Sequence, residues 1–419
     1  MSAETLSTFD LALKTFFVQE VVDDIPYRVP FFKTISGSMK DRPTGGRSLT
    51  ATWAVETGAN LGWDTLTESG DLAVSRTGTR KNYSLSVAHM SFSTEFSGHL
   101  EASGTRRDMT FFYDVAEKFT NDTKKVVTML MGILVMLDGT ANLGTILSVS
   151  TNTITLDTGQ IHNFLLTMRL TVRDTASGGT EQLSSAQPAS GTITSVEEPQ
   201  NRFTIADATG AVAGDFLALY EFYGAVLPNA IRNIISETGT FQGQNRATAG
   251  LEFARGRVRT DTGPLTDDLI IRTAHDVMKM TRDTDPTADW VALTDFDSER
   301  WLYLTKSDQV RYTANEKIVG GYKGVAVSTG GNGTLTLATD QRAWPGEIAM
   351  FAPKDFGFLR PTTGLSSGWV ENGGTHFFQK TGSAAGRYAD AKQCFWIERY
   401  NIFCDEPRNT ARLTGYRSI

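Results

Sequence analysis

Two segments in the first third of the chain have hydrophobic positions with a helical period. Near the start of the chain the apolar residues are three or four positions apart, which predicts a short amphipathic helix: Leu6, Phe9, Leu13, Phe16 and Phe17. A longer stripe with the same spacing ends at Leu137 and predicts a helix over residues 106–137. Such a helix is about 48 Å long. Thr105 is suited to cap its start, and Gly139 to terminate it.

Two segments before the long helix have a period of two instead. Residues 50–55 and 83–87 predict the strands of a hairpin, separated by a glycine-rich stretch. A two-stranded ribbon is only marginally stable alone in water. Its apolar face therefore has to be covered either by the rest of the chain or by another subunit.

An internal echo follows the long helix. Residues 144–149 (GTILSV) reappear as 191–196 (GTITSV), 47 residues later, and each copy leads into two further strand-like segments. The pattern predicts a small β-barrel or sandwich over residues 141–222. Chance similarity between two β-rich stretches is the alternative.

The last third of the chain mixes both periods. Leu265 and Ile270 flank Thr266 as a hydrophobic staple flanks an N-cap, which predicts a helix after Thr266. A strand at 290–293 and a helix capped by Asp295 or Asp297 follow. From residue 324 strands dominate, and they are predicted at 324–327, 334–337, 347–351, 357–359 and 393–400.

Composition narrows the class of protein. The 419 residues allow two or three folded units, and the formal charge of −7 argues against a protein that coats nucleic acid by neutralising phosphates. Cys394 and Cys404 are too few and too far apart for a disulfide framework or a zinc site. We find no signal-peptide pattern and no apolar run of membrane-spanning length, so we expect a soluble, unexported protein with reduced thiols.

Candidate chemistry is sparse. The chain has no phosphate-binding loop and no histidines in metal-ligand spacing. Residues 364–368 (GLSSG) match the nucleophile-elbow pattern around Ser366, but the residues that follow cannot begin the helix that this motif needs. Several aspartates are open to interpretation as calcium ligands or a glycosidase pair, although turns and caps also favour Asp: Asp283, Asp285, Asp289, Asp295 and Asp297. We predict no catalytic residue, no cofactor and no metal site.

Three alternating arginines, Arg255, Arg257 and Arg259, place guanidinium groups on one face of an extended segment. Phosphates, acidic side chains of a neighbouring subunit and solvent are all open as their partners.

In the order of its parts the chain resembles the major capsid proteins of tailed bacteriophages, which share their fold with the herpesvirus shell. The most similar text is 321–327 (GYKGVAV), 344–351 (WPGEIAMF) and 394–407 (CFWIERYNIFCDEP). The resemblance implies an α+β fold with an N-terminal arm, an extended loop hairpin, a spine helix, an axial domain and an inserted small β-barrel. The corresponding segments are the arm (1–45), the extended loop (46–100), the peripheral domain with the spine helix (101–140), the inserted barrel (141–222), a connection (223–264), the axial domain (265–343), peripheral strands (344–404) and a C-terminal segment (405–419).

The resemblance also implies a function. We expect a structural protein, not an enzyme, that assembles as hexamers and pentamers into an icosahedral shell around double-stranded DNA. Expected partners are other copies of the chain, a portal protein, a separate scaffolding protein and a decoration protein. We expect no sequence-specific DNA contact and no membrane, and a location in the virion shell after synthesis in the host cytoplasm. The loop cross-link of some relatives is not carried over, because the loop offers only Lys81.

Subunit contacts are predicted from the arm, the hairpin and the arginine row: Phe9, Leu13, Phe16, Trp53, Val55, Tyr83, Leu85, Val87, Arg255, Arg257 and Arg259. The alternative function is a β-rich carbohydrate-binding or tail-associated virion protein.

Overall fold

A computed structural model describes most of the chain. The described residues are 31, 40–43, 50–56, 80–97, 109–176, 179–183, 189–225, 227–279, 290–306, 318–319, 322–323, 325–328, 334–361, 367–370, 378–381 and 388–416. Within them the fold is mixed α/β and consists mostly of strands.

The elements run as follows. The first part of the chain forms strands β1 (Lys40–Pro43), β2 (Thr50–Glu56), β3 (Arg80–Ser86) and β4 (Ala88–Ser97), and then helix α1 (Met109–Met136). The middle forms β5 (Asn142–Ser150), β6 (Thr153–Gly159), β7 (Leu170–Arg173), β8 (Ile193–Glu197), β9 (Arg202–Ile205), β10 (Phe216–Leu219), α2 (Ile231–Ile234), β11 (Thr240–Phe241), β12 (Gln244–Asn245) and β13 (Arg257–Thr260). The last part forms α3 (Asp267–Met278), β14 (Val291–Thr294), α4 (Phe296–Lys306), β15 (Ile318–Val319), β16 (Tyr322–Lys323), β17 (Val325–Ser328), β18 (Thr334–Thr339), β19 (Glu347–Phe351), β20 (Phe356–Arg360), β21 (Ser367–Trp369), β22 (Phe378–Thr381), β23 (Tyr388–Cys404) and β24 (Ala411–Thr414).

The long helix predicted from the apolar stripe is present as α1. It ends one residue before the predicted end, and Gly139 follows with a φ of +87°, in the left-handed region that favours glycine after a helix. The predicted cap at Thr105 lies outside the described residues. From Met131 to Leu137 every residue is buried, so this end of α1 is enclosed on all sides.

Strand β23 organises the first large sheet. Its residues 391–400 pair with β4, its C-terminal end pairs with β20, and β21 and β22 pair with other parts of it. Along residues 393–400 of this strand, buried positions alternate with half-buried ones, the period that predicted a strand there. The sequence predicted residues 393–400 of this strand, and the structure extends it to Tyr388 at one end and Cys404 at the other.

The predicted extended loop (46–100) divides at Ala88. Before that residue β2 and β3 pair with each other in a two-stranded ribbon, whereas β4 belongs to the large sheet. The predicted arm (1–45) is also partly fixed to the body. Phe31 is fully buried with its ring 5.5 Å from that of Phe351, and β1 pairs in parallel with β20.

The middle of the chain forms a six-stranded antiparallel sheet in the order β7-β10-β5-β6-β9-β8. Backbone hydrogen bonds join its two outer strands, from Leu170 to Gly191 at 3.0 Å and from Ile193 to Met168 at 2.9 Å, so the sheet closes into a barrel. Phe164 and Phe203 stack inside it with ring centroids 4.6 Å apart. We call residues 142–219 the barrel.

The barrel repeats one three-stranded unit twice. The two units are β5–β7 and β8–β10. If each strand is exchanged for its counterpart in the other unit, β5 for β8, β6 for β9 and β7 for β10, the same pairs of strands remain neighbours in the closed sheet. Both third strands are preceded by a residue in the left-handed region, Thr167 with a φ of +66° and Gly214 with a φ of +92°. These two residues are 47 positions apart, the offset of the sequence echo. The echo therefore corresponds to a structural repeat.

The third sheet is mixed and lies beneath α3 and α4, in the order β13-β24-β19-β14-β18-β17. Ala292 and Leu337 face the two helices and belong to their core, whereas Leu293 and Ala338 belong to the core on the other side. Thr266 caps α3 as predicted, its hydroxyl accepting the backbone N–H of Leu269 at 3.3 Å. The sheet joins strands of the predicted axial segment (265–343) to β13, β19 and β24 from outside it.

Candidate functional site

The β2–β3 ribbon is covered at its base by its own chain. Tyr83 is fully buried and Leu85 is 8% exposed, and the core around Leu85 includes Leu359 and Phe403. Trp53 is half-buried, with its ring 5.7 Å from Tyr83 and 5.6 Å from Phe403. The body of the same chain therefore covers the apolar face of the ribbon at these residues.

The other predicted ribbon contacts are placed as follows. Val87 is 3% exposed and lies in the same core as Leu85. Val55 belongs to β2, opposite Lys81, but its side chain is outside the described part. The opposite face of the ribbon, with Thr52 and Ser84, is exposed and is the face that a neighbouring molecule can reach. That any of these residues contact adjacent subunits stays a prediction.

A short hairpin fastens the ribbon to the body. Gln242 and Gly243 connect β11 to β12 with φ values of +47° and +79°, which is the geometry of a two-residue hairpin turn. The carbonyl of Gln242 accepts the N–H of Ser84 at 2.9 Å, and its side-chain amide donates to the Cys404 carbonyl at 2.6 Å. The ribbon is therefore hydrogen-bonded to the end of β23 through this turn.

Arg246 lies fully buried behind the same turn. Its guanidinium donates to the carbonyls of Ala254, Asn233 and Ile234 at 2.8 Å each, and to that of Thr238 at 3.2 Å. Burial lowers its pKa to about 10. Among the described residues it has no carboxylate partner, so main-chain carbonyls and the Phe241 ring, 4.6 Å from the guanidinium carbon, hold this buried cation. Nothing in the sequence spacing marks this arginine.

The three alternating arginines have partners inside the chain. The Arg255 side chain donates to the Arg246 carbonyl at 2.6 Å. Arg257 pairs with Glu237 at 3.0 Å and Arg259 with Asp276 at 2.8 Å. These internal partners were not among those that the sequence left open, which were phosphates, acids of a neighbouring subunit and solvent. Contact with a neighbouring subunit stays a prediction.

The arm residues Phe9, Leu13 and Phe16 lie outside the described residues. So do Asp283, Asp285 and Asp289, and Ser366 of the elbow-like motif. Residues 367–369, directly after that serine, form strand β21 rather than a helix. Asp295 directly precedes α4, and burial raises the pKa of its carboxyl, opposed by hydrogen bonds from Ser298 and Thr294.

An apolar groove lies between α1, β4 and the barrel, with a volume of about 680 Å³. On the α1 side it is lined by Asp122, Val126 and Leu130, and on the barrel side by Leu166 and Met168. Val126 is 47% exposed and Leu166 60%. We call this feature the helix–barrel groove.

The groove corrects one detail of the predicted helix. The periodicity puts Val126 on the same buried stripe as Ile133, yet only Ile133 is fully buried. The sheet and the barrel enclose the C-terminal half of α1 but diverge at Val126. The pattern of residues cannot show where packing partners end.

Ionisable groups in the core serve structure. Glu398 accepts hydrogen bonds from the Trp396 indole at 2.6 Å and the Ser367 hydroxyl at 2.8 Å, and burial raises its pKa to about 7. Glu347 lies between Arg232 and Arg412, at 3.0 and 3.6 Å. Within the described residues no group of three His, Cys, Asp or Glu side chains is arranged to hold a metal ion. No described helix is long and apolar enough to cross a membrane.

Comparison with known proteins gives matches among solved structures. No protein-family model and no curated protein matches the sequence. The chain is similar to a chain of the cyanophage A-1(L) capsid asymmetric unit, with 13% identity over 92% of this chain and 93% of that chain and a TM-score of 0.44.

Two further solved structures are similar. A chain of the satellite phage P4 procapsid with its size determination (Sid) protein has 10% identity over 100% of this chain and 98% of that chain, with a TM-score of 0.40. A chain of the bacteriophage PhiM1 mature capsid has 8% identity over 92% and 87%, with a TM-score of 0.44. These solved structures are phage capsids and a procapsid.

Proposed function

We propose that this chain is a major capsid protein, the repeating subunit of an icosahedral phage head that encloses double-stranded DNA. The observation that carries the proposal is the β2–β3 ribbon. It is a two-stranded sheet fastened to the body at one end, and its exposed face is available to other molecules. The body covers the apolar face, so the exposed face with Thr52 and Ser84 is the part of the ribbon that supports contact with a neighbouring copy.

The surface of the subunit supports assembly rather than catalysis. The helix–barrel groove leaves apolar side chains open to solvent, and such patches mark interaction sites. The buried carboxylates and arginines described above are engaged in hydrogen bonds or ion pairs within the fold. In a closed shell each modest contact between copies recurs by symmetry, and the contacts together give a stable particle.

We also propose how the shell is built and filled. Copies form hexamers and pentamers, with a separate scaffolding protein, a portal protein and a decoration protein as partners. With a charge of −7 the subunit does not draw in DNA by cationic attraction, so the genome is driven into the shell through the portal. The protein resides in the virion after synthesis in the host cytoplasm, and it has no enzymatic role.

The ribbon's part in assembly is tested with substitutions on its exposed face. Leu85 is unsuitable because it is buried within the subunit, whereas Thr52 and Ala54 are exposed on β2. We expect Thr52→Glu combined with Ala54→Glu to leave the subunit folded and to abolish shells. Thr194→Glu, at an exposed strand position of the barrel, is the matched control and should assemble normally.

Electron microscopy of the doubly substituted chain and of the control gives the answer. Shells from the doubly substituted chain at the yield of the control would refute the role of the ribbon. Small oligomers of the unsubstituted chain that bind glycans would instead support the alternative of a carbohydrate-binding virion protein.

A further inference from the structure

We propose that the helix–barrel groove binds the N-terminal amphipathic segment, residues 6–17, of a neighbouring copy of this chain. The inference rests on the proposed function, because it requires copies assembled side by side. It adds the location of one subunit contact and the segment that fills it.

Among the described residues none fills the groove. Val126 and Leu166, on its two sides, are about half exposed or more, although Val127 beside them is 1% exposed. Apolar side chains grouped in this way in a cavity of about 680 Å³ match the size and character of sites that hold a ligand.

The N-terminal segment fits the groove in length and pattern. Along α1 the lining runs from Asp122 to Leu130, about 12 Å of helix. Residues Phe9, Leu13 and Phe16 have the i, i+4, i+7 spacing with which an amphipathic helix inserts its side chains into a groove, and they span roughly 10 Å.

Charges at the rim are compatible with this occupant. Asp122 is 3.6 Å from Lys125, and Arg169 is 3.4 Å from Glu221, so both signs are present on exposed side chains beside the groove. The segment also carries both signs, with Asp10 and Lys14 one helical turn apart. Paired charges at the rim can therefore exchange partners with the segment without leaving a like-charge contact.

The connection to the body allows the segment to reach another subunit. Phe31 is fixed in the core, and residues 18–30 separate it from the segment. Thirteen extended residues span up to about 43 Å, about the width of a domain. That length suffices for the segment to leave its own subunit.

Disulfide trapping in mixed shells tests the proposal. Chains with Leu13→Cys are assembled together with chains with Val126→Cys, so that any bond between the new cysteines joins two copies. Cys394 and Cys404 are both buried and do not compete. The matched control replaces Val126→Cys with Leu147→Cys, since Leu147 is 54% exposed on a barrel strand and does not line the groove.

We expect at least ten times more cross-linked dimer from the Leu13 and Val126 pair than from the control pair. Equal yields, or intact shells without a cross-link, would overturn the inference while the proposed function stands. A chain that carries both Leu13→Cys and Val126→Cys tests the alternative within one subunit. A cross-link in that chain, with none between copies in the mixed shells, would show that the segment folds back on its own subunit and would also overturn the inference. If the unsubstituted chain forms no shells, the proposed function itself fails and the inference falls with it.

Discussion

We expect Arg246, with its buried guanidinium, to be the side chain that contributes most to fastening the ribbon to the body. The Arg246→Met substitution keeps a long apolar stem and removes the four hydrogen bonds to main-chain carbonyls. Methionine cannot donate to these carbonyls. The segments around Ile234, Thr238 and Ala254 would therefore lose the group that holds them together.

The magnitude follows from the burial of Arg246. A buried polar group left without a partner costs about 1–3 kcal/mol, and hydrogen bonds from a charged donor are worth about 1.5–3 kcal/mol each. Relief from burying a cation offsets part of this loss. We expect the free energy of unfolding to fall by roughly 4 kcal/mol, which is large against the total stability of a domain.

Urea unfolding of the unassembled chain, followed by tryptophan fluorescence, measures this loss. Trp53 packs in the same aromatic cluster as Tyr83 and reports on the base of the ribbon. The matched control is Arg272→Met, because Arg272 forms an exposed ion pair with Asp268 on α3 and its loss should cost less than about 1 kcal/mol. If the two variants unfold within about 1 kcal/mol of each other, the role assigned to Arg246 is refuted.

Three further predictions concern other parts of the fold. Glu347→Gln leaves the guanidinium groups of Arg232 and Arg412 without their shared carboxylate and should lower the unfolding free energy by roughly 3–5 kcal/mol in the same urea assay; a loss below about 1 kcal/mol would contradict this. The raised pKa of Glu398, about 7, means that the folded state retains a proton that the unfolded state releases above its ordinary pKa of 4.5, so this group lowers stability as the pH rises from about 4.5 to 7. Glu398→Gln should remove that dependence, so the unfolding free energy of the variant should rise by roughly 3 kcal/mol relative to that of the wild type between pH 4.5 and pH 8. The same difference between the two proteins at both pH values would contradict the assignment. The barrel has its own closed sheet, although its core is continuous with that of the body, and as an isolated segment, residues 140–225, it should show a cooperative thermal transition by circular dichroism; a segment without such a transition would show that the barrel depends on the body.

Local signals in the sequence located many of the elements. Three signals come from residues that are close together in the sequence, so their spacing can be read directly. They are the stripe of α1, the cap at Thr266 and the strands within each unit of the barrel echo. The course of the barrel strands also follows from the echo, because a repeated unit repeats its turns.

Long-range packing could not be predicted from spacing. The alternation at Tyr83 and Leu85 shows that one face of the ribbon is apolar, but only the structure shows that Phe403 and neighbouring residues cover it. Arg246 carries no periodic signal, since its partners are carbonyls from three separate segments. The partners of Arg257 and Arg259, which lie 20 and 17 residues away, are likewise set by the tertiary fold.

The central claim is that many copies of this chain form a closed shell. Negative-stain electron microscopy of the purified chain, alone and with its scaffolding protein, tests it most directly. We expect hexamers and pentamers, or closed shells of uniform diameter. Only monomers or small open oligomers under both conditions would contradict it.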